Sequence, residues 1–180
     1  MRILLVSGSL RAGSWTTALL HAAAGCLPQG ATTAVGLIAD LPAYNEDLDQ
    51  GDPPAEAVRW RAAVSAADGL IVATPEYNGA VPGGLKNALD WASRPRGAAS
   101  LADKPVALLS ASPSPRGGAW ARENLQRVLE VAGARPLPGG VGVGQVNQVL
   151  VDGRITDPSV EAEVAALVTQ LVDSVGASPA

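Results

Sequence analysis

Short apolar runs alternate along the chain with longer segments in which apolar residues recur every three or four positions. The short runs, such as residues 3–6 and 70–72, are apolar throughout, which is typical of parallel strands covered on both faces. The longer segments carry one apolar stripe, as at Val160, Val164 and Leu167, which is typical of amphipathic helices. Strands are therefore predicted over residues 3–6, 33–38, 69–74, 105–110 and 135–143, and helices over 14–27, 55–67, 82–93, 118–131 and 158–175.

This alternation of strands and helices predicts one α/β domain with a parallel sheet. The chain has 180 residues, which is the length of a single domain, and no repeat or interdomain linker interrupts it. We expect the domain to span residues 1–176, with a short tail at 177–180 and a polar loop at 40–54. In doubly wound sheets, ligands bind beyond the carboxyl ends of the strands, where the strand order reverses. For the order 2-1-3-4-5, the loops at that point follow the first and third strands.

The composition excludes several classes of protein. The net charge is -4 and the 13 Lys and Arg residues are scattered, so we expect no nucleic-acid partner. No apolar run approaches the roughly 18 residues of a membrane span, and the opening run is shorter than the roughly 7 to 15 residues of a signal-peptide core. The single Cys26 excludes an internal disulfide and a multi-cysteine metal site. We therefore expect a cytoplasmic protein that binds no membrane and no metal ion.

The loop after the first strand, residues 8–14, carries anion-binding groups at the start of a predicted helix. Backbone N–H groups and the helix dipole favour an anion there. Ser9, Ser14 and Thr16 add hydroxyl groups, and Arg11 adds a charge that can make two parallel bonds to a phosphate. The alternative is an ordinary turn in which Ser14 only caps the helix. The combination of Ser, Arg and Ser favours phosphate binding.

The loop after the third strand, residues 75–82, contains groups suited to a flat cofactor ring. Tyr77 can form a wall for such a ring, and Asn78 with nearby amides can bind the polar edge of the ring. The alternative is that Asn78 and Gly79 simply form a tight turn.

Two segments of the chain resemble one known family. The segments GSLRAGSWTTALL (8–20) and PEYNGAVPGGLKNALDWASR (75–94) together resemble the NADPH-dependent FMN (flavin mononucleotide) reductase family, and SASPSPRGGAWARENLQRVLEVAGA (110–134) extends the resemblance. That family includes bacterial quinone, chromate and azo-dye reductases. The resemblance implies a flavodoxin-like three-layer sandwich with a five-stranded parallel sheet of order 2-1-3-4-5. It also implies FMN as cofactor, NADPH or NADH as electron donor, and quinones, azo compounds, metal oxyanions or free flavin as acceptors.

The resemblance also assigns residues to the cofactor. In the family, the first loop holds the FMN phosphate, the second lines the isoalloxazine ring, and the third approaches the ring. The implied residues are Ser9, Arg11, Ser14, Trp15 and Thr16 in the first loop, Pro75, Glu76, Tyr77 and Asn78 in the second, and Ser112 and Gly118 in the third.

No catalytic side chain is expected, because flavin chemistry needs no protein nucleophile. The single His21 is predicted to be a surface residue and Cys26 a small core residue. Packing is the expectation for the tryptophans, which are Trp15, Trp60, Trp91 and Trp120. The alternative function is a non-enzymatic, flavodoxin-like electron carrier. Arg11 and the second segment favour the enzyme over the carrier. A third interpretation is a flavin-free scaffold of the same fold.

The helix predicted over residues 82–93 is a candidate interface. Its apolar stripe should pack on the sheet, and the stripe consists of Leu85, Ala88, Leu89 and Ala92. Trp91 and Val81 lie off that stripe, and exposed apolar surface often marks an interface. Members of the family associate as dimers or tetramers through this region, so the resemblance implies a homodimer or homotetramer. The alternative is that Trp91 folds back onto its own domain.

Overall fold

A parallel sheet lies at the centre of the molecule, in a computed structural model that describes residues 1–177. Its strand order is β2-β1-β3-β4-β5, with a further strand, β6, paired to β4. The strands are β1 (Arg2–Ser7), β2 (Thr32–Val35), β3 (Gly69–Thr74), β4 (Pro105–Ala111), β5 (Arg135–Pro136) and β6 (Val141–Val143). All of these pairs are parallel. The predicted fold class and strand order are therefore confirmed. Residues 178–180 of the predicted tail lie outside the described residues.

Helices cover both faces of the sheet. They are α1 (Trp15–Ala24), α2 (Glu46–Asp49), α3 (Ala55–Ser65), α4 (Gly83–Ala92), α5 (Ala119–Val131), α6 (Val146–Val149) and α7 (Pro158–Gly176). One apolar core joins the sheet to α3, α4 and α5, and the other joins it to α1 and α7. Alternate residues of each strand serve the two cores, as Leu4 and Leu5 of β1 do. The stripe predicted on α4 is buried in the first of these cores.

The predicted fifth strand is wrong as a continuous element, because it divides into β5 and β6. Between them, Gly139 and Gly140 have φ values of 88° and 59°, which break the extended backbone. The break lies in a crowded place, since a Cβ at Gly140 would lie 2.9 Å from the Leu108 carbonyl oxygen and 3.0 Å from Arg122 Cδ. After the step, β6 pairs with the carboxyl half of β4, with Val141 beside Leu109.

Two further segments differ from the predicted elements. β2 ends at Val35 and not at residue 38, and Gly36 then packs against the buried Trp60. The segment after β6, for which no elements were predicted, holds α6 and an antiparallel hairpin of β7 (Leu150–Val151) and β8 (Arg154–Ile155). Asp152 and Gly153 form the turn of this hairpin, a pair that favours tight hairpins.

The expectation that Trp91 leaves apolar surface exposed is wrong. Trp91 is fully buried and packs edge-on against Tyr44, with the ring centroids 5.0 Å apart. Its indole Nε1 donates to the Pro42 carbonyl oxygen at 2.8 Å. The loop that contains Tyr44 and Pro42 folds over α4 and covers this side chain.

That covering loop is anchored by polar contacts and is not wholly irregular, because α2 lies within it. Arg61 of α3 makes a bidentate ion pair with Asp49 at 2.6 and 2.7 Å. Asn87 of α4 accepts from the Tyr44 amide and donates to the Pro42 carbonyl. Within the described residues, no helix combines the length and apolar character needed to cross a membrane.

Candidate functional site

The first loop leaves β1 at Gly8, where the chain passes close to β3 and α4. The Gly8 amide donates to the Ala73 carbonyl at 2.7 Å, which extends the sheet pairing by one residue. A Cβ at Gly8 would lie 3.0 Å from Leu85 Cδ2 and 3.3 Å from Thr74 Oγ1. The close approach requires glycine at this position, and it fixes the point at which the first loop begins.

The serines of the first loop are buried polar groups at the amino end of α1. Ser14 caps the helix, since its Oγ accepts from the Thr17 amide at 3.3 Å. Ser9 Oγ accepts from the Arg11 amide at 3.4 Å. The capping role considered for Ser14 is therefore correct, but the Ser14 hydroxyl accepts from only one amide of the helix, that of Thr17. The amides of Trp15 and Thr16 have no acceptor within the helix, because they belong to its first turn.

Arg11 projects from the same loop into solvent. Its Cζ lies 5.9 Å from the centroid of the Trp15 ring, and no carboxylate among the described residues lies within ion-pair distance of it. The structure thus brings a free guanidinium, helix amides and the buried Ser9 and Ser14 together at one helix start, where Thr16 is also buried. Such a set of donors can hold a phosphate.

The second loop turns sharply at Asn78 and Gly79. Tyr77 and Ala80 exchange two backbone hydrogen bonds of 3.0 and 3.1 Å, and the two residues between them have φ values of 52° and 75°. The tight-turn alternative is therefore correct for the backbone. The turn displays Tyr77, which is 48% exposed, and Asn78 on the surface, so both side chains face outward from the end of β3.

Glu76 joins the second loop to the third. Its Oε2 accepts a hydrogen bond of 3.2 Å from the Ala121 amide in the first turn of α5. The N-cap residue of α5, Gly118, has no side chain that could cap the helix, so Glu76 supplies the cap from another loop. A second bond runs from the Val81 amide to Asn124 Oδ1 at 3.4 Å. These contacts fix the second loop against α5.

The third loop is held from beneath by Ser110 and Arg122. The buried Ser110 Oγ donates to the Gly117 carbonyl at 2.6 Å and accepts from Arg122 Nη1 at 2.9 Å. Gly142 has no side chain at the place where Arg122 Nη1 lies. This arrangement is not among the features predicted from the sequence, although the alternating glycines of 140–144 are a signal that a large side chain passes there.

The predicted residues of the third loop serve its own conformation. Ser112 Oγ accepts from the Ser114 amide at 3.1 Å and donates to Ser114 Oγ at 3.2 Å. A Cβ at Gly118 would lie 3.2 Å from Ser110 Cβ and 3.7 Å from Glu76 Cβ. Gly118 therefore allows the second and third loops to touch.

The three loops meet at one edge of the sheet. Leu10 of the first loop lies against Gly84 at the start of α4, with 3.7 Å between its Cδ1 and a Cβ built at the glycine. Trp120 of α5 borders Gly79 of the second loop in the same way, at 3.5 Å. Trp120 is 53% exposed, so the expectation of a packed side chain is wrong for it and is correct for Trp60 and Trp91. Trp15 is also partly exposed.

The lone histidine and cysteine lie outside this edge. His21 is exposed on α1, as predicted. Cys26 is half-buried beyond the far end of α1, and its thiol donates to the Ala22 carbonyl at 3.8 Å. Burial, and to a lesser extent the Glu161 carboxylate, raises the pKa of the Cys26 thiol above its ordinary value. Cys26 is therefore a poor nucleophile.

A phosphate-bearing, flat cofactor fits the residues at this edge. The first loop offers amides, hydroxyls and a guanidinium for the phosphate, and the second loop offers Tyr77 as a flat apolar surface. The site lies at the reversal of the strand order, between the loops after β1 and β3. Fold and site together define a nucleotide-binding protein of the flavodoxin-like class.

Comparisons with known proteins identify the family. The sequence model of the NADPH-dependent FMN reductase family matches residues 1–148. An NAD(P)H-dependent FMN reductase of Pseudomonas aeruginosa is 44% identical over 138 residues, which is 76% of this chain and 74% of that protein. A quinone reductase of Escherichia coli K12 is 35% identical over 154 residues, covering 84% of this chain and 81% of that protein. The structure of FerB, a flavoenzyme NAD(P)H:(acceptor) oxidoreductase from Paracoccus denitrificans, has a TM-score of 0.88 at 30% identity over 97% of both chains.

The chain belongs to the NADPH-dependent FMN reductase family. It is an oxidoreductase that uses FMN as its cofactor and NAD(P)H as its electron donor, which confirms the function predicted from the sequence. The enzyme is thereby favoured over the non-enzymatic electron carrier.

Proposed function

We propose that this enzyme transfers electrons from NAD(P)H through FMN to small acceptors, with quinones as the first class to test. Quinone reductases among its relatives support that class. Azo compounds, metal oxyanions and free flavin are further candidate acceptors. The observation that carries the proposal is the meeting of three loops at the strand-order reversal. When bound, FMN accepts a hydride from NAD(P)H and passes electrons onward, so the protein needs only to bind and orient the reactants.

We assign the FMN phosphate to the first loop. Arg11 and the Ser9 and Ser14 hydroxyls bind phosphate oxygens, together with the amides of Trp15 and Thr16. The buried position of both serines supports this role, because it removes competition from water. The α1 dipole adds a favourable field for the anion.

We assign the isoalloxazine ring to the second and third loops. The backbone of Pro75, Glu76 and Asn78 lines the ring, and Tyr77 borders it. Glu76 acts through α5, because its carboxylate is already occupied by the Ala121 amide. Ser112 and Gly118 shape the third side of the pocket.

The absorbance spectrum of the purified protein after incubation with FMN and gel filtration tests the proposal. We expect one FMN per chain, bleaching on addition of NADPH, and recovery of the spectrum on addition of benzoquinone. A protein that retains FMN but is not reduced by NADPH would be a carrier. A protein that retains no flavin would contradict the proposed site.

Steady-state kinetics test how the two substrates share the site. One ring face bordered by Tyr77 and Asn78 predicts that NAD(P)H leaves before the acceptor binds. Double-reciprocal plots at several benzoquinone concentrations should then be parallel. Intersecting lines would show that both substrates occupy the enzyme together and would contradict a shared site.

We also propose that the enzyme is a cytoplasmic homodimer or homotetramer. Dependence on NAD(P)H and the single Cys26 support the cytoplasm. A groove of about 870 Å³ between α4 and α5 supports association, because both apolar and charged side chains line it.

A further inference from the structure

Arg116 and Trp120 stack on each other at the rim where the third loop meets the second. Arg116 Cζ lies 4.6 Å from the centroid of the Trp120 ring. The same indole borders the turn at Asn78 and Gly79, which displays Tyr77. The pair therefore lies at the entrance to the proposed flavin pocket and not on a remote surface.

Neither side chain is used by the fold. Trp120 belongs to neither apolar core and exposes about half of its surface. Arg116 is exposed, and no carboxylate of the described residues lies within 4.0 Å of its guanidinium. A guanidinium that stacks on an aromatic face keeps its N–H donors in the plane, where they can bind an anion.

The backbone on both sides of Arg116 is fixed. The Gly117 amide donates to the Ser114 carbonyl and the Ala119 amide donates to the Arg116 carbonyl, each at 3.2 Å. The Gln145 amide also donates to the Ser114 carbonyl at 3.2 Å. Because the loop and the stacked ring hold the guanidinium in place, a ligand meets a preorganised group and little freedom is lost on binding.

We infer that Arg116 and Trp120 recognise the phosphate-bearing part of the NAD(P)H donor, and this inference rests on the FMN site proposed above. Arg116 makes paired hydrogen bonds to phosphate oxygens, and Trp120 packs against the adjoining nucleotide. The other free guanidinium of this edge, Arg11, follows β1 and is assigned to FMN. β1 and β4 lie two strand spacings apart, roughly 10 Å. Each of the two nucleotides then has its own arginine.

Stopped-flow reduction of the FMN-loaded enzyme by three donors tests the inference. NADPH and NADH carry phosphates, whereas 1-benzyl-1,4-dihydronicotinamide carries none. Arg116→Ala should raise the half-saturating concentration of a phosphate-bearing donor about tenfold, as loss of a charge-assisted hydrogen bond predicts. It should leave reduction by the benzyl compound unchanged. Arg116→Lys should restore part of the affinity, and Trp120→Leu should weaken the same donors.

The pattern across donors locates the recognised phosphate. A shift for NADPH alone assigns Arg116 to the 2′-phosphate, and equal shifts for NADPH and NADH assign it to the pyrophosphate. Both results support the inference. Arg59→Ala is the control, because Arg59 is also exposed but lies on α3 in an ion pair with Glu56.

Three results with Arg116→Ala would overturn the inference. The half-saturating concentrations of both dinucleotides could be unchanged, or that of the benzyl compound could rise by the same factor. The third result would be an effect confined to the oxidation of the reduced enzyme by an anionic quinone. Failure of the FMN site itself is distinguishable. In that case the wild-type protein would not retain flavin, whereas failure of the inference alone leaves flavin content and reduction by the benzyl compound at wild-type values.

Discussion

At the scale of single residues, the first loop separates groups that build the fold from groups that are free to bind. Ser14 caps α1 and Gly8 fills a position without room for a side chain. Arg11 makes no bond through its guanidinium to the described residues beyond its weak stacking on Trp15. Arg11 can therefore be changed with little expected effect on folding.

We predict that Arg11→Ala weakens FMN binding about 30-fold, or roughly 2 kcal/mol, through loss of a charge-assisted bond to phosphate. Thermal unfolding without FMN should be unchanged, since the side chain is exposed. Fluorescence titration of FMN measures the affinity, and riboflavin, which lacks the phosphate, is the matched ligand. Equal FMN affinity in the mutant and the wild type would remove Arg11 from the site.

Glu76 combines a position in the cofactor loop with a role in helix capping. Glu76→Ala should lower the free energy of unfolding by about 1 kcal/mol, because α5 loses an acceptor and a negative charge at its amino end. Glu76→Gln keeps an acceptor and should lose less. Urea unfolding of the protein without FMN gives the comparison.

Glu123 provides the control for Glu76. It is exposed on α5 and no hydrogen bond of its side chain is found in the described residues, so Glu123→Ala should leave stability near that of the wild type. If Glu76→Ala were no less stable than Glu123→Ala, the carboxylate would have no capping role.

At the scale of elements, the sequence predicts what depends on local periodicity and misses what depends on distant side chains. The strands over 69–74 and 105–110 were found because they are continuously apolar and buried. The division of the fifth strand does not follow from local periodicity, because the break at Gly140 packs against Leu108 and Arg122, which lie in other elements. The burial of Trp91 does not follow from local periodicity either. Helical spacing shows the face of α4 on which Trp91 lies, but not the loop that folds over it.

In the candidate site too, local features can be predicted from the sequence and contacts between distant residues cannot. Loop position and donor chemistry indicate Ser9, Arg11 and Ser14 from the sequence alone. The bond from Glu76 to α5 joins residues 45 positions apart, and the bond between Ser110 and Arg122 joins residues 12 positions apart. No local pattern encodes such contacts.

The packing of β6 against α5 gives a prediction at this scale. Gly142→Ala places a methyl group where Arg122 Nη1 lies, so Arg122 must leave Ser110. We expect a loss of about 1–3 kcal/mol in the free energy of unfolding, as in other overpacked sites. Gly83→Ala is the control, since a Cβ there meets nothing within 4 Å.

A double-mutant cycle separates this clash from other effects of the new methyl group. If the cost arises from Arg122, Gly142→Ala should be much less destabilising in an Arg122→Ala background. Equal costs in both backgrounds would show that the methyl group disturbs something else.

At the scale of the whole molecule, the topology brings distant segments to one edge. The first, second and third loops follow β1, β3 and β4, which are adjacent in the sheet, so residues near 10, 78 and 116 become neighbours. The second loop leads directly into α4, and the third leads into α5. A surface formed by α4 and α5 is therefore joined directly to two loops of the site.

We propose the α4–α5 surface as the interface between copies of the chain. Leu89, Val128 and Val131 line the groove between the helices, together with Arg94 and Arg127. Val131 is 83% exposed although it is apolar. The expectation of association rests on this surface and not on Trp91, because Trp91 is buried. A stable dimer needs about 800 Å² buried on each partner, which a surface two helices wide can provide.

We predict that the wild-type protein has twice the 18.1 kDa chain mass, or a larger even multiple, by light scattering at micromolar concentration. Val131→Glu should reduce the mass toward that of a single chain, because it places a charge in an apolar contact. Its turnover should fall as well, since α4 and α5 carry the second and third loops. Val151→Glu is the control for mass: Val151 is 46% exposed on the β7–β8 hairpin, next to the opposite face of the sheet, and its change should leave the mass unaltered. A wild-type mass near 18.1 kDa with full activity would rule out the dimer, and dissociation by Val151→Glu but not Val131→Glu would place the interface on the other face.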